Sequence, residues 1–494
     1  MTRRTSIRLS IALVTAAALA AACSDPPTTG SGNSDQVQVG DGEGGETTLP
    51  ECPLDALDDA AGPVGAELWY GGLQGAAKNA MEAMAASFNA SQDQVELTAN
   101  DQGSSYEEVF RKYQSASSAA PDQLPDLIYL QDTELQAMVD GGQVLPAQAC
   151  MDAAGYDITD IEPAARSKYS VDDVLYPGYM NVSTPVLFYN KAHWLEAGLD
   201  PDDPPATLDE LYEQAKALKA AGVSDKPLSF RANRWFFETW LAGIGEDIVN
   251  NGNGREARAT EATFATPAAE ELVSFLKQMY DEGLLNAFAD TEGSIDHYLA
   301  LANQQSSMLI ETSTASSTIR DIMAGGLTAD EAGVSFDESV LDKTELVPGT
   351  GAFPGLEAGG QVFASGGAFY ILNTSDPAHQ AASWTFLEFM LQPANAKAWH
   401  VNGGYLPIVK SVQDEVDVQT FWETDVAGVL LVPAVEQFSD ADPDEPGPLI
   451  GPYVDEAAAI ERALDAVLFD GEEVSSALSN AQDEVTAALE RYAG

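Results

Sequence analysis

The side chains best suited to chemistry in this chain are aromatic rings near the ends of predicted elements. Trp69 and Tyr70 close one apolar run, Tyr106 follows a second, Trp235 and Trp240 sit in RANRWFFETW, and Tyr405 lies in GGYLP. Flat rings against the C–H face of a polyol or sugar, with a few fixed hydrogen-bonding groups for its hydroxyls, are the ingredients of a carbohydrate site. Rings also fill cores, because each buries a large apolar area; Trp240 and Trp384, on helical stripes, are read as core. Signatures of catalysis are missing. His193, His297, His379 and His400 are far apart, and none falls in an H-E-x-x-H spacing. No G-x-S-x-G elbow, P-loop or strand-borne G-x-G-x-x-G occurs, so hydrolase, NTPase and dinucleotide readings lack their local marks. No catalytic residue, metal ligand or cofactor is assigned. Carboxylates are so numerous that a glycosidase pair is not excluded by motif. Asp440, Asp442 and Asp444 imitate the start of a calcium loop, but Glu445 stands where the turn glycine belongs, and the segment is read as a solvated acidic loop.

Strands and helices alternate behind these residues. Glu67-Leu68-Trp69-Tyr70 reads as a strand, Gly71-Gly72 as a turn, and Ala80, Met81, Met84 and Phe88 recur at helical spacing. Val95-Glu96-Leu97-Thr98 is a second strand and Tyr106 to Tyr113 a helix. Asp126-Leu127-Ile128-Tyr129-Leu130 is a third strand, followed by a helix from Thr133 to Asp140. Such alternation predicts βαβ units in a mainly parallel sheet, whose carboxyl edge would carry Gly71, Gln102-Gly103-Ser104 and Gln131-Asp132. Further on, Val186-Leu187-Phe188-Tyr189 reads as a buried strand. Pro201, Pro204 and Pro205 stiffen the turn after it, and Thr207 with Glu210 forms a capping box. Leu208, Leu211, Ala215 and Leu218 then mark a helix that Gly222 ends. After Ala382 the chain is mostly helical, with apolar stripes at Trp384, Leu387, Phe389 and Met390 and at Leu464, Val467 and Leu468.

The blocks NVSTPVLFYNK, AGLDPDDPPATLDEL and SGGAFYILNTSDPAHQAASWTFLEFMLQPANAKAWHVNGGYLPIVKS resemble the extracellular solute-binding proteins of bacterial ABC importers, the family that includes maltose- and glycerol-3-phosphate-binding proteins. The resemblance runs from about Glu67 to the C-terminus and is closest to the glycerol-3-phosphate-binding branch. It implies an α/β, two-lobed periplasmic-binding-protein-like fold of type II, with mostly parallel sheets flanked by helices and a ligand cleft between the lobes. It also implies chain crossings near Asn181 to Val186, Ser365 to Phe369 and Ser411 to Val418. The lobes would then be discontinuous, with residues 52–181 plus 369–417 in one and 186–361 plus 418–494 in the other. Carried over residue by residue, the branch's ligand set falls on Tyr106, Asp132, Ser183, Thr184, Ser313, Thr314, Gly366, Gly367 and Tyr405; Tyr70 and Trp235 join it from the ring inventory. Ser183 and Thr184 serve equally well as strand-end caps, and the glycines as plain turns. The branch has an arginine in a late loop that holds phosphate, and Gly447-Pro448-Leu449-Ile450-Gly451 puts an aliphatic residue there. Without that fork the implied ligand is neutral; Arg231 or Arg234 would be the substitute, against a surface salt bridge for each.

Thr2-Arg3-Arg4, an apolar run from Ile7 to Ala22 and then Cys23 read as an export signal over residues 1–22. Leu19-Ala20-Ala21-Ala22-Cys23 is similar to a bacterial lipobox, with its leucine four residues before the cysteine rather than three, which makes Cys23 the acylation candidate. An ordinary secreted protein with a leftover cysteine is the other reading. Residues 23–51, poor in apolar side chains, form a tether with an end-to-end reach of roughly 30 to 35 Å. Cys52 and Cys150 are the remaining pair, and in an exported chain they predict a disulfide, against two buried free thiols. A formal net charge of -55, from 23 basic and 78 acidic residues, excludes nucleic acid as a partner and disfavours docking on an anionic membrane surface. The membrane is reached only through the N-terminal lipid. The combined reading is an exported, lipid-anchored, monomeric binding protein. It would close on a small sugar, polyol or glycerol derivative and deliver it to the transmembrane subunits of an ABC permease. Its rivals are a secreted carboxylate-dependent glycosidase and a surface interaction module.

Overall fold

Val186 to Tyr189 lie in a fully buried strand whose alternate side chains feed two cores. Val186 and Phe188 pack into one hydrophobic cluster, Leu187 and Tyr189 into another, as a strand's two-residue period requires when both faces are covered. The computed structural model describes residues 48–291, 294–323, 346–357 and 362–493. The expected leader, Cys23 and the tether as far as residue 47 lie outside the described residues, as does the expected lobe boundary at Gln361.

Two sheets organise the described chain. The first contains β1 (Val64–Tyr70), β2 (Val95–Asp101), β3 (Leu127–Gln131), β4 (Val144–Leu145), β7 (Tyr179–Met180) and β13 (Gly367–Leu372), in the order β2-β1-β3-β13-β4 with β7 beside β13. A short hairpin of β5 (Ser170–Val171) and β6 (Val174–Leu175) lies apart from both sheets. The second sheet contains β8 (Pro185–Asn190), β9 (Leu228–Ala232), β10 (Leu285–Ala289), β11 (Met308–Thr312) and β12 (Pro348–Ala352), in the order β10-β9-β11-β8-β12.

The sheets are mixed, which refines the mostly parallel pairing expected from the sequence. β1 runs parallel to β2 and β3, and β9 parallel to β10 and β11, because helical crossovers join those strands. β13 runs antiparallel to β3, β4 and β7, and β8 antiparallel to β11 and β12. β8 and β13 are the strands by which the chain enters one sheet after leaving the other, so no crossover helix dictates their direction.

The segments that carry the chain between the sheets lie side by side. Ser183 and Ser365 exchange backbone hydrogen bonds of 3.0 and 3.1 Å, and Leu406 N–H donates to the Val182 carbonyl at 2.9 Å. The helix Leu208–Ala220 starts on Thr207, whose hydroxyl accepts from Glu210 N–H at 3.2 Å. Glu210 returns the cap to Ala206 N–H at 2.8 Å, one residue earlier than in the standard box. Its buried face is Leu208, Leu211, Ala215 and Leu218. Trp240 and Trp384 are each 1 % exposed, one in each cluster. Cys52 and Cys150 are joined in a disulfide that closes a 98-residue separation. On the chain-entropy account a loop of that size stabilises by up to about 4 to 5 kcal/mol.

Candidate functional site

At the carboxyl end of β3 a group of tyrosines converges on the crossing segments. Tyr106 opens the helix Tyr106–Ala119, which Ser105 caps by accepting from Glu108 N–H at 3.2 Å. Its hydroxyl is 3.4 Å from that of Tyr129 on β3, with ring centroids 5.6 Å apart. Asn181 Nδ2 donates to the Tyr129 hydroxyl at 2.6 Å, and the Tyr405 hydroxyl interacts with Tyr106, Tyr129 and Asn181. Burial first, and then a neighbouring phenol (Tyr405 for Tyr106, Tyr106 for Tyr129), raises both groups well above the ordinary phenol range, so both hydroxyls stay protonated as donors.

Tyr405 is held from below. Its ring stacks on Trp399 at 6.3 Å, and its carbonyl lies 2.6 Å from His400 Nδ1. The indole N–H of Trp422 donates to His400 Nε2 at 2.9 Å. An indole can only donate, so Nε2 accepts and Nδ1 carries the proton that reaches the Tyr405 carbonyl. Burial lowers the imidazole to about 4, which keeps it neutral in that tautomer.

Asp132 is the polar centre of this wall. One carboxylate oxygen accepts from Ser365 Oγ at 2.7 Å and Gly366 N–H at 3.1 Å; the other lies 3.1 Å from Lys168 Nζ, and both side chains are 2 % exposed. Lys168 also sits 4.7 Å from the centroid of the Phe363 ring. Burial lowers the lysine and the Asp132 charge opposes that shift. Glycine is required beside it. Gly366 has φ +153° and a Cβ there would meet the Asn181 carbonyl oxygen at 1.9 Å; at Gly367 it would meet the Tyr129 ring at 2.2 Å. Ser183 Oγ donates to the Ser365 carbonyl at 3.1 Å, closing the same knot.

The second sheet presents its own strand ends. Arg231, near the end of β9, lies 3.1 Å from Asp290 and 3.8 Å from Glu311 of β11. His297 Nε2 is 2.7 Å from the other Glu311 oxygen. Burial alone would raise Glu311, but Arg231, His297 and the Thr312 N–H overturn it and hold the carboxyl down at about 2. Arg234, on the helix Arg234–Ala242, donates to both Glu238 oxygens at 3.0 and 3.2 Å and covers the Tyr453 ring at 4.6 Å. Tyr453 Oη donates to Glu238 at 2.7 Å. No donor reaches either oxygen of Glu456, and burial followed by the nearby Glu238 charge pushes that carboxyl well above the usual range. Asn233 Oδ1 caps the Trp235 backbone N–H at 2.8 Å; the buried Trp235 Nε1, Asn181 Oδ1 and Arg231 Nε have no hydrogen-bond partner.

Tyr106, Asp132, Ser183, Gly366, Gly367 and Tyr405 thus form one group. Thr184 and Ser313 adjoin it at the mouth of β8, where Thr184 N–H donates to Ser313 Oγ at 3.3 Å and Gln437 donates to Thr184 Oγ1 at 2.6 Å. The Thr314 hydroxyl pairs with Thr312 at 3.2 Å, and a Cβ on Gly404 would come within 3.9 Å of the Thr314 carbonyl, so this segment borders Tyr405. Trp235 stands with the second sheet. Tyr70 is set apart: its charged neighbours are Asp101, Glu82 and Lys78, and Gly72 rather than Tyr70 approaches the Tyr106 ring. The surface salt bridge considered for Arg234 is corrected by the structure, since its guanidinium forms a deeply buried ion pair with Glu238; Arg231 forms a partly exposed pair with Asp290, its side chain 25 % exposed. Tyr129, Asn181 and Lys168 are site residues that motif reasoning passed over, because Tyr129 lies in the apolar run LIYL and the partners of Lys168 are distant in sequence. No cluster of metal-ligating side chains occurs among the described residues, and none of their helices is long and apolar enough to cross a membrane.

Comparison with known proteins agrees with this architecture. The sn-glycerol-3-phosphate-binding periplasmic protein UgpB of Shigella dysenteriae is 24 % identical over 365 residues, covering 72 % of this chain and 76 % of that protein. UgpB from Mycobacterium tuberculosis, solved in complex with glycerophosphocholine, superposes with a TM-score of 0.68 at 17 % identity, over 88 % of this chain and 100 % of that one. The cyclic alpha-maltosyl-1,6-maltose binding protein of Arthrobacter globiformis gives 0.64 at 21 % identity, over 87 % and 99 %. These neighbours share the two-lobed fold with helices flanking the sheets. The family described as bacterial extracellular solute-binding protein matches residues 83–426, most of the chain, and the chain belongs to that family.

Proposed function

We propose that this protein is the solute-binding lipoprotein of an ABC importer, capturing a neutral, polyhydroxylated solute between its two lobes and presenting it to the permease. The observation that carries the neutral ligand is electrostatic. Each basic side chain described around the strand ends is already engaged: Lys168 by Asp132, Arg234 by Glu238, Arg231 by Asp290 and Glu311, and Arg255 by backbone carbonyls. A phosphate monoester would have to break one of those pairs, whereas sugar or glycerol hydroxyls need only the tyrosine hydroxyls and the unpartnered Asn181 and Trp235 groups. Tyr106, Asp132, Tyr405 and Trp235 are the contacts in this reading. Ser183, Thr184, Ser313, Thr314, Gly366 and Gly367 shape the crossing, and Tyr70 supports from behind. The lobes divide as residues 52–181 plus 369–417 and 186–361 plus 418–494, and acylated Cys23 holds the monomer at the outer face of the membrane.

Relatives named for glycerol 3-phosphate and for maltosyl sugars share polyol chemistry, and that shared part is what this site fits. Members of the family bind and hand over rather than turn over. The test is a thermal-shift screen over maltosaccharides, polyols, glycerophosphodiesters and glycerol 3-phosphate, followed by calorimetry. A ligand at a hundred times its dissociation constant adds about 2.7 kcal/mol to the native state. A neutral sugar or polyol is expected to give the largest shift; tighter binding of glycerol 3-phosphate than of any neutral compound sinks the reading.

A further inference from the structure

The segment NNGNGREAR, residues 250–258, is built in an unusual hand. Asn251 (φ 60°, ψ 47°) and Gly252 (φ 58°, ψ 56°) are followed by Asn253 at φ 56° and Gly254 at φ 77°, a full left-handed turn. Each residue in that region costs roughly 1 to 2 kcal/mol for ordinary side chains, and only glycine and asparagine visit it readily. The surroundings hold it there. Asn253 Oδ1 accepts from the N–H groups of Ile248 and Val249 at 2.7 and 3.3 Å, the Asn253 carbonyl accepts from Leu449 N–H at 2.9 Å, and a Cβ on Gly254 would stand 2.4 Å from the Leu449 carbonyl oxygen. Backbone strain enforced this strictly points to a task.

The turn belongs to the second lobe, where Val249, Ala259 and Ala262 pack in its core and Ala262 N–H is held by Thr486 Oγ1. What it projects reaches the first lobe at two places. Arg255 Nε donates to the Gly447 carbonyl of its own lobe at 3.0 Å, while across to the first lobe Nη1 reaches the carbonyls of Ser167 and Ser170 at 3.1 Å each, and Nη2 that of Lys168 at 3.3 Å. Arg258 grips Asp140 with both nitrogens at 2.6 and 2.7 Å, and Tyr492 Oη donates to the same carboxylate at 2.8 Å. Burial pulls the Arg255 guanidinium down to about 10, still charged at neutral pH. Lys168, whose carbonyl Arg255 holds, is the residue whose ammonium pairs with Asp132 in the solute site.

We propose that Arg255 and Arg258, presented by the left-handed turn, are positioning residues for solute capture. They clasp the first lobe, so that closing the lobes and ordering Lys168 against Asp132 are one event. The proposal rests on the two-lobe capture reading, but its test needs no solute. Solution scattering on the full chain without ligand reads the separation of the lobes, and hydrogen exchange reads residues 163–175. Arg258→Ala and Asp140→Ala are each expected to enlarge the radius of gyration. The charge-swapped pair Arg258→Asp with Asp140→Arg is expected to restore it, and Arg255→Met to speed exchange at 163–175 while far-ultraviolet dichroism stays unchanged. Scattering curves that superpose on the parent for both alanine variants, or a swap that fails to restore compaction while dichroism reports a folded chain, overturn the clasp. A protein that binds no solute but opens in these variants refutes the function and leaves the clasp standing.

Discussion

Lys168→Met isolates the most exposed weakness of the site. The ammonium and the Asp132 carboxylate are 3.1 Å apart and each is 2 % exposed, so the substitution leaves an anion in a nearly dry environment with only Ser365 Oγ and Gly366 N–H as donors. Stranding one member of a buried pair costs about 3 to 5 kcal/mol, whereas replacing both partners together is often close to neutral. Retention of two donors to Asp132 places the expected loss at the lower end, about 3 kcal/mol. For lobes of this size, 1 kcal/mol moves the melting temperature by about 2 to 4 °C, so the single variant should melt about 6 to 12 °C below the parent. The double variant Lys168→Met with Asp132→Asn should recover more than half of that loss. Calorimetric melts of the three proteins at one pH and salt concentration form the cycle. A single variant within 2 °C of the parent, or a double variant that melts lower than the single, refutes the claim that these charges depend on each other.

Two further outcomes follow from the geometry. Tyr405→Ala and Trp235→Ala should each weaken binding of the solute found in the screen by at least about 1 kcal/mol in titration calorimetry, since one removes a ring at the convergence of three hydroxyl groups and the other an unpartnered indole N–H; unchanged affinity for both removes them from the site. His400 is held near 4 in the folded chain against an ordinary 6.5, so between those values the unfolded chain binds a proton that the folded one rejects. Its contribution is therefore complete above pH 6.5 and is lost as pH falls toward 4, about 3 kcal/mol in all. His400→Gln should flatten that part of the stability profile measured by urea unfolding, and an unaltered slope between pH 6.5 and 4 argues against it.

Features governed by neighbours in sequence were legible. The Thr207 cap, the apolar stripe after it and the buried run of β8 all rest on contacts within a few residues, and each appears in the folded chain. Strand direction was less so: β13 finds β3 across more than two hundred residues, and nothing local fixes whether the two run together or opposed. The tyrosine wall was half visible. Tyr405 stands beside a turn glycine and Tyr106 just after a strand, but Tyr129, inside LIYL, carries the same pattern as any core residue. Arg255 was hidden for another reason, since its partners are carbonyl oxygens 85 to 192 residues away and carbonyls have no sequence signature. The run Asn250–Gly254 did carry a signal, because asparagine and glycine are the residues that tolerate left-handed backbone.

The bond between Cys52 and Cys150 also decides how mechanical load enters the molecule. β1, β2, β3 and β4 all lie between the two cysteines, inside one covalent ring. A pull applied upstream of residue 52 is therefore shared at Cys52 between the backbone and the sulfur bridge to the helix Ala147–Ala154, and the ring that holds β1 to β4 is not drawn out as a linear chain.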